Sequence, residues 1–481
     1  MLAPPRLRGP PPSTSTMALS TKPPSGTRDF LAPAVRRRRQ VLDTIRTAYE
    51  RHGFEPLETP AFERIDTLTG KYGDEGDQLL FRILKRGQKL DEALAARDAE
   101  RLVDFGLRYD LTVPLARVVA AHRGQLPAVY KRYQAQPVWR ADRPQKGRFR
   151  EFWQCDVDCV GTTSILAEVE VISAVSEALR SLGLHDFTIR LNDRRILGGL
   201  MQVNDIAPER EAGVLTIIDK LDKIGTGGVR SELLAGGLLP AQVDALLHSV
   251  APATAEAESR PAELASFDAL FRERSANGLA GVKRLHSLLS MLPAGSRPHG
   301  EGIPLVFDPS LARGLSYYTG PIFEIAVDGL AGSMGGGGRY DGLVGMFAGK
   351  EIPAVGFSLG FERLLVVLEE RGFFRDELPT VDVLVALLDE DELPHCIRLA
   401  RSMRRAGLRV DVQADPIKLG KQFRLAEERG IRFVAILGRR EVESGTVNLK
   451  DLLSGEQTTV GQSECAASLR ALRDTRSTRP G

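Results

Sequence analysis

Residues Tyr130–Gly161 read YKRYQAQPVWRADRPQKGRFREFWQCDVDCVG. Apolar and aromatic residues alternate with polar ones on both sides of a charged turn at Ala141–Gly147. That is the two-residue period of strands whose side chains point to opposite faces. The stretch therefore reads as an antiparallel hairpin. Segments 106–111, 128–140, 148–161 and 186–192, all rich in Val, Tyr, Phe and Trp, extend it to an antiparallel sheet. Between Tyr130 and Gln154 the hairpin carries seven basic residues against two acidic ones, a local charge of +5. One reading is a solvated basic hairpin. The alternation, however, puts some arginines on the same side as a packed face, and a partly buried guanidinium needs an anionic partner. On the exit strand Gln154, Asp156 and Asp158 hold alternate positions. They form a face for a small polar substrate, or a set of hydrogen-bonded core groups.

Upstream, Val41, Leu42, Ile45, Ala48 and Tyr49 make one stripe of an amphipathic helix over 35–51 that ends near Gly53. Phe54–Phe62 reads as a strand interrupted by Pro56 and Pro60, and Lys85–Asp104 as a loop or exposed helix. Downstream, 195–300 is Leu- and Ala-rich at helical spacing, a mostly helical insertion. Strand signals return at 303–308 and 320–327, followed by glycines 335–338 and a helix opening near Gly360. After Pro379, strand and helix alternate, the mark of a small α/β domain with a largely parallel sheet. The expected division is a Pro-rich disordered leader over 1–25, a catalytic core over 26–194 and 301–372 interrupted by the 195–300 insertion, an α/β domain over 380–470, and a tail over 471–481.

The chain has 481 residues with 65 Lys and Arg against 63 Asp and Glu, a net charge of +2. That balance excludes a tail-driven polyanion binder and leaves room for a local basic surface. Four scattered cysteines give neither a disulfide framework nor a zinc site, and no apolar run is long enough to cross a membrane. A cytoplasmic location follows, with the acid-free leader leaving organellar targeting open and Met17 as a second possible start.

Three further motifs carry chemistry. In LARGLSYYTG, Arg313 lies in a glycine-flanked turn beside Tyr317 and Tyr318. In SMGGGGRYDG, four glycines precede Arg339 and Tyr340, either a backbone that approaches a flat ligand or a flexible hairpin tip. In PAVGFSLGFERLL, a strand leads into a helix with Glu362 and Arg363 in its first turn, where phosphate groups are favoured. No G-x4-G-K-[ST] occurs, so a bound nucleotide rests on a sheet with arginines rather than on a P-loop.

Together these stretches resemble the class II aminoacyl-tRNA synthetases. RGLSYYTGPIFE, GGGRYDGLV, GTRDF at Gly26–Phe30 and LRYDLTVPLAR at Leu107–Arg117 are similar to the histidine-specific branch, and KLGKQFRLAEERGIRF to its anticodon-binding module. The resemblance implies an α+β fold, an antiparallel class II catalytic core with a helical insertion and a small α/β anticodon-binding domain. It implies histidine activation by ATP with Mg2+, then transfer to the 3′ end of histidine tRNA, by a homodimer. By family position Arg140 holds the α-phosphate, Arg363 the γ-phosphate, and Arg313 the reacting centre from the opposite side, with Asp142 and Arg148 also on ATP. Asp110 and Gln154 fall near the histidine ammonium and carboxylate. Asp158 and Tyr318 fall around the imidazole, with Thr112, Tyr317 and Tyr340 completing the pocket. The chain departs from the family pattern at Asp110, Asp142 and Asp158, which stand where many members carry Glu; each keeps the charge on a shorter arm. The rival reading is a non-catalytic paralogue that regulates a histidine-biosynthetic phosphoribosyltransferase. Such lookalikes lose the arginine turn and the anticodon-binding module, both retained here.

Overall fold

The computed structural model describes residues 20–71, 73–98, 100–145, 147–250, 260–292, 302–312, 317–330, 332–374 and 381–474. Most of the expected disordered leader, the end of the tail and residues 313–316, Arg313 among them, lie outside the described residues. The chain divides into two units, Met1–Phe374 and Arg375–Gly481.

In chain order the first unit has strands β1 Glu55–Pro56, β2 Phe62–Arg64, β3 Arg82–Leu84, β4 Val103–Leu107, β5 Tyr130–Trp139 and β6 Glu151–Val160. There follow β7 Phe187–Asp193, β8 Leu305–Phe307, β9 Pro321–Val327, β10 Gly335–Arg339 and β11 Ala354–Gly360. Eight of them form one sheet in the order β1-β5-β6-β11-β10-β9-β7-β8. The central pairings from β5–β6 to β9–β7 are antiparallel, and the two edge pairings are parallel. Alternation then sorts the side chains. Cys155, Val157 and Cys159 of β6 bury against helices Ala32–Arg51 and Leu166–Ser181, together with Val41, Ile45, Ala48 and Tyr49. At roughly 1.5–3 kcal/mol per fully buried large apolar side chain, this layer holds the sheet flat against its helices and leaves the opposite face open.

Several local expectations change. Phe54–Phe62 is not one strand: Pro56 and Pro60 cannot donate to a ladder. The two-residue β1 joins the large sheet, and β2 starts a separate sheet in the order β2-β4-β3. The strand expected over 106–111 stops at Leu107 because the buried Arg108 donates to the Thr59 and Pro137 carbonyls at 2.6 and 2.8 Å, turning the chain into helix Thr112–His122. Lys85–Asp104 contains an exposed helix, Gln88–Ala96. The insertion is helical, from Arg194–Val203 to Ala276–Met291, around a core that includes Leu200, Leu215, Val229 and Leu285 and extends to Phe307 of β8 and Ile322 of β9. The glycine run is strand β10, laddered to β9 and β11 and no hairpin tip. A Cβ on Gly337 would meet Gly356 O at 2.1 Å, so glycine is required by the close approach.

The second unit has β12 Val383–Ala386, β13 Val410–Val412, β14 Phe433–Ile436, β15 Thr446–Asp451 and β16 Gln457–Gly461 in the order β13-β12-β14-β15-β16. Its sheet is mixed rather than largely parallel. The β12 pairings, connected through helices, are parallel; β14–β15 and the β15–β16 hairpin are antiparallel. Helix Cys465–Asp474 runs past residue 470 into the expected tail. All four cysteines are buried and free. Among the described residues no helix is long and apolar enough to cross a membrane.

Candidate active site

The sheet face opposite the helices floors a cavity of about 750 Å³. Asp110, Thr112, Arg140, Asp142, Arg148, Gln154, Asp158, Tyr317, Tyr318, Tyr340 and Arg363 all line it. Of the residues singled out in the sequence, Arg313 alone is not placed, since it lies outside the described residues.

The floor is acidic. Asp158 lies 2.8 Å from Nη2 of Arg132, a fully buried guanidinium on the neighbouring β5, and accepts a hydrogen bond from the Tyr340 hydroxyl. The basic hairpin thus carries the buried arginine its alternation demanded, with a carboxylate beside it. Space for that carboxylate comes from Gly356: a Cβ there would lie 1.8 Å from Asp158 Oδ1. Asp110 Oδ1 accepts from the Val113 N–H at 3.1 Å. Gln154 donates to Ser358 Oγ at 2.8 Å, while its own Oε1 has no hydrogen-bond partner among the described residues. Asp156, buried beside them, likewise has an Oδ1 without a partner among the described residues. Burial pushes the Asp156 carboxyl up to about 7; Arg132 opposes the shift, and Asp158 and Asp110 add to it. Burial also raises Asp158, again against Arg132. The rings of Tyr317 and Tyr318 meet edge-on at 5.1 Å, and those of Tyr317 and Tyr340 at 5.9 Å.

The mouth is cationic. Arg140 donates through Nε to Tyr109 O at 3.1 Å, and its guanidinium lies 4.2 Å from the Tyr109 ring centroid and 5.1 Å from that of Phe152. Among the described residues no carboxylate pairs with it. Arg148 and Asp142 pair with each other at 3.0 Å across the hairpin turn. Arg363 donates to Ser333 O, and the adjacent Glu362 is gripped by Arg38 through two bonds of 2.8 Å. A ligand with a cation at one end and phosphates at the other matches this division of charge.

Phe152, Glu324 and Ser358 also line the cavity with no site role assigned to them from the sequence, and Asp156, read there as one of three polar groups on a substrate-facing strand, lines it too. A signal existed. Phe152 and Asp156 share the parity of Gln154 and Asp158 on β6, and Ser358 that of Gly356 and Gly360 on β11.

Two family models match the chain: histidyl-tRNA synthetase over residues 26–364 and an anticodon binding domain over residues 382–472. The chain belongs to the histidyl-tRNA synthetase family. It is 41% identical over 446 residues to the histidine–tRNA ligase of Porphyromonas gingivalis, covering 90% of this chain and 95% of that one. It is 39% identical over 444 residues to the ligase of Cytophaga hutchinsonii, with 90% and 96% covered. The crystal structure of histidyl-tRNA synthetase from Nostoc superposes with a TM-score of 0.77 at 32% identity, covering 94% of this chain and all of that one. A chain from Bacillus halodurans described as an ATP phosphoribosyltransferase regulatory subunit/histidyl-tRNA synthetase shares the fold, with a TM-score of 0.70 at 21% identity. The class II synthetase architecture of antiparallel catalytic sheet, helical insertion and anticodon-binding domain accounts for the order of elements along the chain.

Proposed function

We propose that the cavity activates histidine with ATP and that the chain then passes the histidyl group to the 3′ end of histidine tRNA. The observation that carries this reading is the union of acidic floor and arginine mouth in one cavity of a histidyl-tRNA synthetase-family chain. An oxygen of the histidine carboxylate attacks the α-phosphorus of ATP; the bond to the bridging oxygen breaks and pyrophosphate leaves with its electron pair. Negative charge gathers on the phosphate oxygens and needs cations already in position. Arg140, held by the Tyr109 carbonyl and packed on two rings, faces the α-phosphate. Arg363 serves the γ-phosphate, Asp142 and Arg148 the adenosine end, and the Phe152 ring offers the base an apolar face. Arg313 is assigned the opposite side of the reacting centre from its sequence position. Asp110 and Gln154 take the amino-acid head. Asp158 and Tyr318 read the imidazole, and Thr112, Tyr317 and Tyr340 close the pocket.

Mg2+ supplies charge neutralisation on the leaving pyrophosphate. Glu324, a carboxylate in the cavity lining, would give an ion that arrives on the ATP phosphates a protein ligand. A homodimer, an insertion that covers the acceptor stem and a cytoplasmic location complete the proposal, with a retained or cleaved leader to be distinguished by sequencing the N-terminus of native protein. The non-catalytic paralogue reading gains nothing from a cavity that keeps its arginines. Histidine-dependent exchange of pyrophosphate into ATP tests the assignment: wild type exchanges, and Arg140→Ala and Arg313→Ala each lose about 10²- to 10³-fold. No exchange by wild type, where a control synthetase works, refutes it.

A further inference from the structure

Histidine brings one ammonium to a cluster of three carboxylates on the cavity floor, Asp110, Asp156 and Asp158, beside one buried guanidinium, Arg132, while a further lining carboxylate, Glu324, pairs with Arg190. All three are engaged within the protein. Asp158 faces Arg132 and accepts from Tyr340, and Asp110 accepts from the Val113 N–H. Asp156 is hydrogen-bonded by the Ser358 hydroxyl. It is 2% exposed, lies midway between Gln154 and Asp158 on the cavity face of β6, and presents an Oδ1 with no hydrogen-bond partner among the described residues. A buried acceptor left unmade costs its full desolvation, so a carboxylate at this position is understandable where a ligand completes it. The unmet demand is for a donor, and a cationic donor most of all, since burial and the two neighbouring carboxylates already disfavour the ionised form.

We propose that Asp156 is a specificity-determining residue that accepts a hydrogen bond from the ammonium group of the bound amino acid, beside Gln154, leaving Asp158 to the ring. The proposal rests on the histidine site described above and adds to it a group assigned no role there. Its consequence is chemical discrimination along the substrate. Ligands that keep the ammonium depend on Asp156, and ligands that lack it do not. A neutral Asn keeps the shape, removes the negative acceptor and leaves the amide NH2 facing an ammonium, donor against donor.

The test measures equilibrium binding of three probes to the full chain: histidine, histidinol, which keeps ammonium and ring but lacks the carboxylate, and imidazolelactate, which carries a hydroxyl in place of the ammonium. Asp156→Asn should weaken histidine and histidinol by about 10- to 100-fold, as expected for a lost charged hydrogen bond, and leave imidazolelactate within about twofold of wild type. ATP affinity serves as the control for folding. Should Asp156→Asn fail that control, Asp156→Ser, which removes charge and volume together, takes its place. Unchanged histidine affinity overturns the proposal, and so does equal weakening of all three probes, the signature of a structural role. Wild-type protein that binds none of the three overturns the histidine site itself, a separate outcome.

Discussion

At the residue scale the site depends on side chains that are absent as much as on those present. Gly356 leaves room for Asp158, and a Cβ at 1.8 Å from Oδ1 cannot be accommodated without moving the carboxylate off Arg132 and Tyr340. Gly356→Ala is therefore expected to cut histidine-dependent exchange by more than about 10²-fold, because displacing a reacting geometry by about 1 Å has that effect; steady-state kinetics with ATP held saturating checks it. Asp156 gives a pH signature of the fold itself. Its carboxyl titrates near 7 in the folded chain and at about 3.9 when unfolded. Its ionisation thus opposes folding in full above pH 7, and the penalty shrinks as pH falls through 7 toward 4. Urea unfolding should find Asp156→Asn more stable than wild type, with the gap widening by about 3 kcal/mol from pH 5 to pH 8. Much of this was legible in sequence order: the alternation of Gln154, Asp156 and Asp158 correctly put three polar groups on one face. What alternation could not convey was that Arg132, twenty-six residues from Asp158 along the chain, lies in register with it across the ladder. The pairing of Arg148 with Asp142 also lay beyond it, since a turn closes on its own charges in ways a two-residue period does not encode.

At the scale of elements, long periodic segments were readable and short interrupted ones were not. The ten-residue strands β5 and β6 and the helix over Ala32–Arg51 follow from hydrophobic period alone. The Pro56–Pro60 region and the end of β4 depend instead on a buried Arg108 binding carbonyls from two other segments, a contact that local pattern does not carry. The glycine run was ambiguous because four residues without side chains have no pattern; ladder partners on both sides make it a sheet interior. Elements are also joined by charge. Glu168 of helix Leu166–Ser181 is fully buried and binds Arg339 at the end of β10 at 2.9 and 2.8 Å and Arg284 of the insertion helix Ala276–Met291 at 2.7 and 2.8 Å. Removing its charge leaves Arg339 with Asp341 as its remaining carboxylate and Arg284 with the Thr163 carbonyl, so Glu168→Gln should lower stability by about 3 kcal/mol in chemical denaturation. Charge reversal at the exposed Arg424–Glu428 pair should change stability by less than about 0.5 kcal/mol.

At the scale of the whole molecule, a net charge of +2 conceals a hairpin of +5, so the total says little about affinity for one particular RNA. The two units have separate hydrophobic cores, and the family models fall one on each. Ending the chain at residue 374 should leave histidine-dependent exchange within about tenfold of wild type while tRNA charging falls by at least about 10²-fold, the division expected when binding to the anticodon arm is lost; equal loss of both would contradict that separation. The α/β character of the second unit was legible because β12 and β14 are continuous apolar runs, whereas its antiparallel half was not, because strand direction is set by connection length rather than by strand composition. The most direct trial of the account is transfer of labelled histidine to a transcript of histidine tRNA by the purified chain with ATP and Mg2+. The account predicts charging with histidine, none with the other amino acids, and loss in Arg140→Ala. Histidine-independent behaviour, or no charging where a control synthetase charges the same transcript, would contradict it.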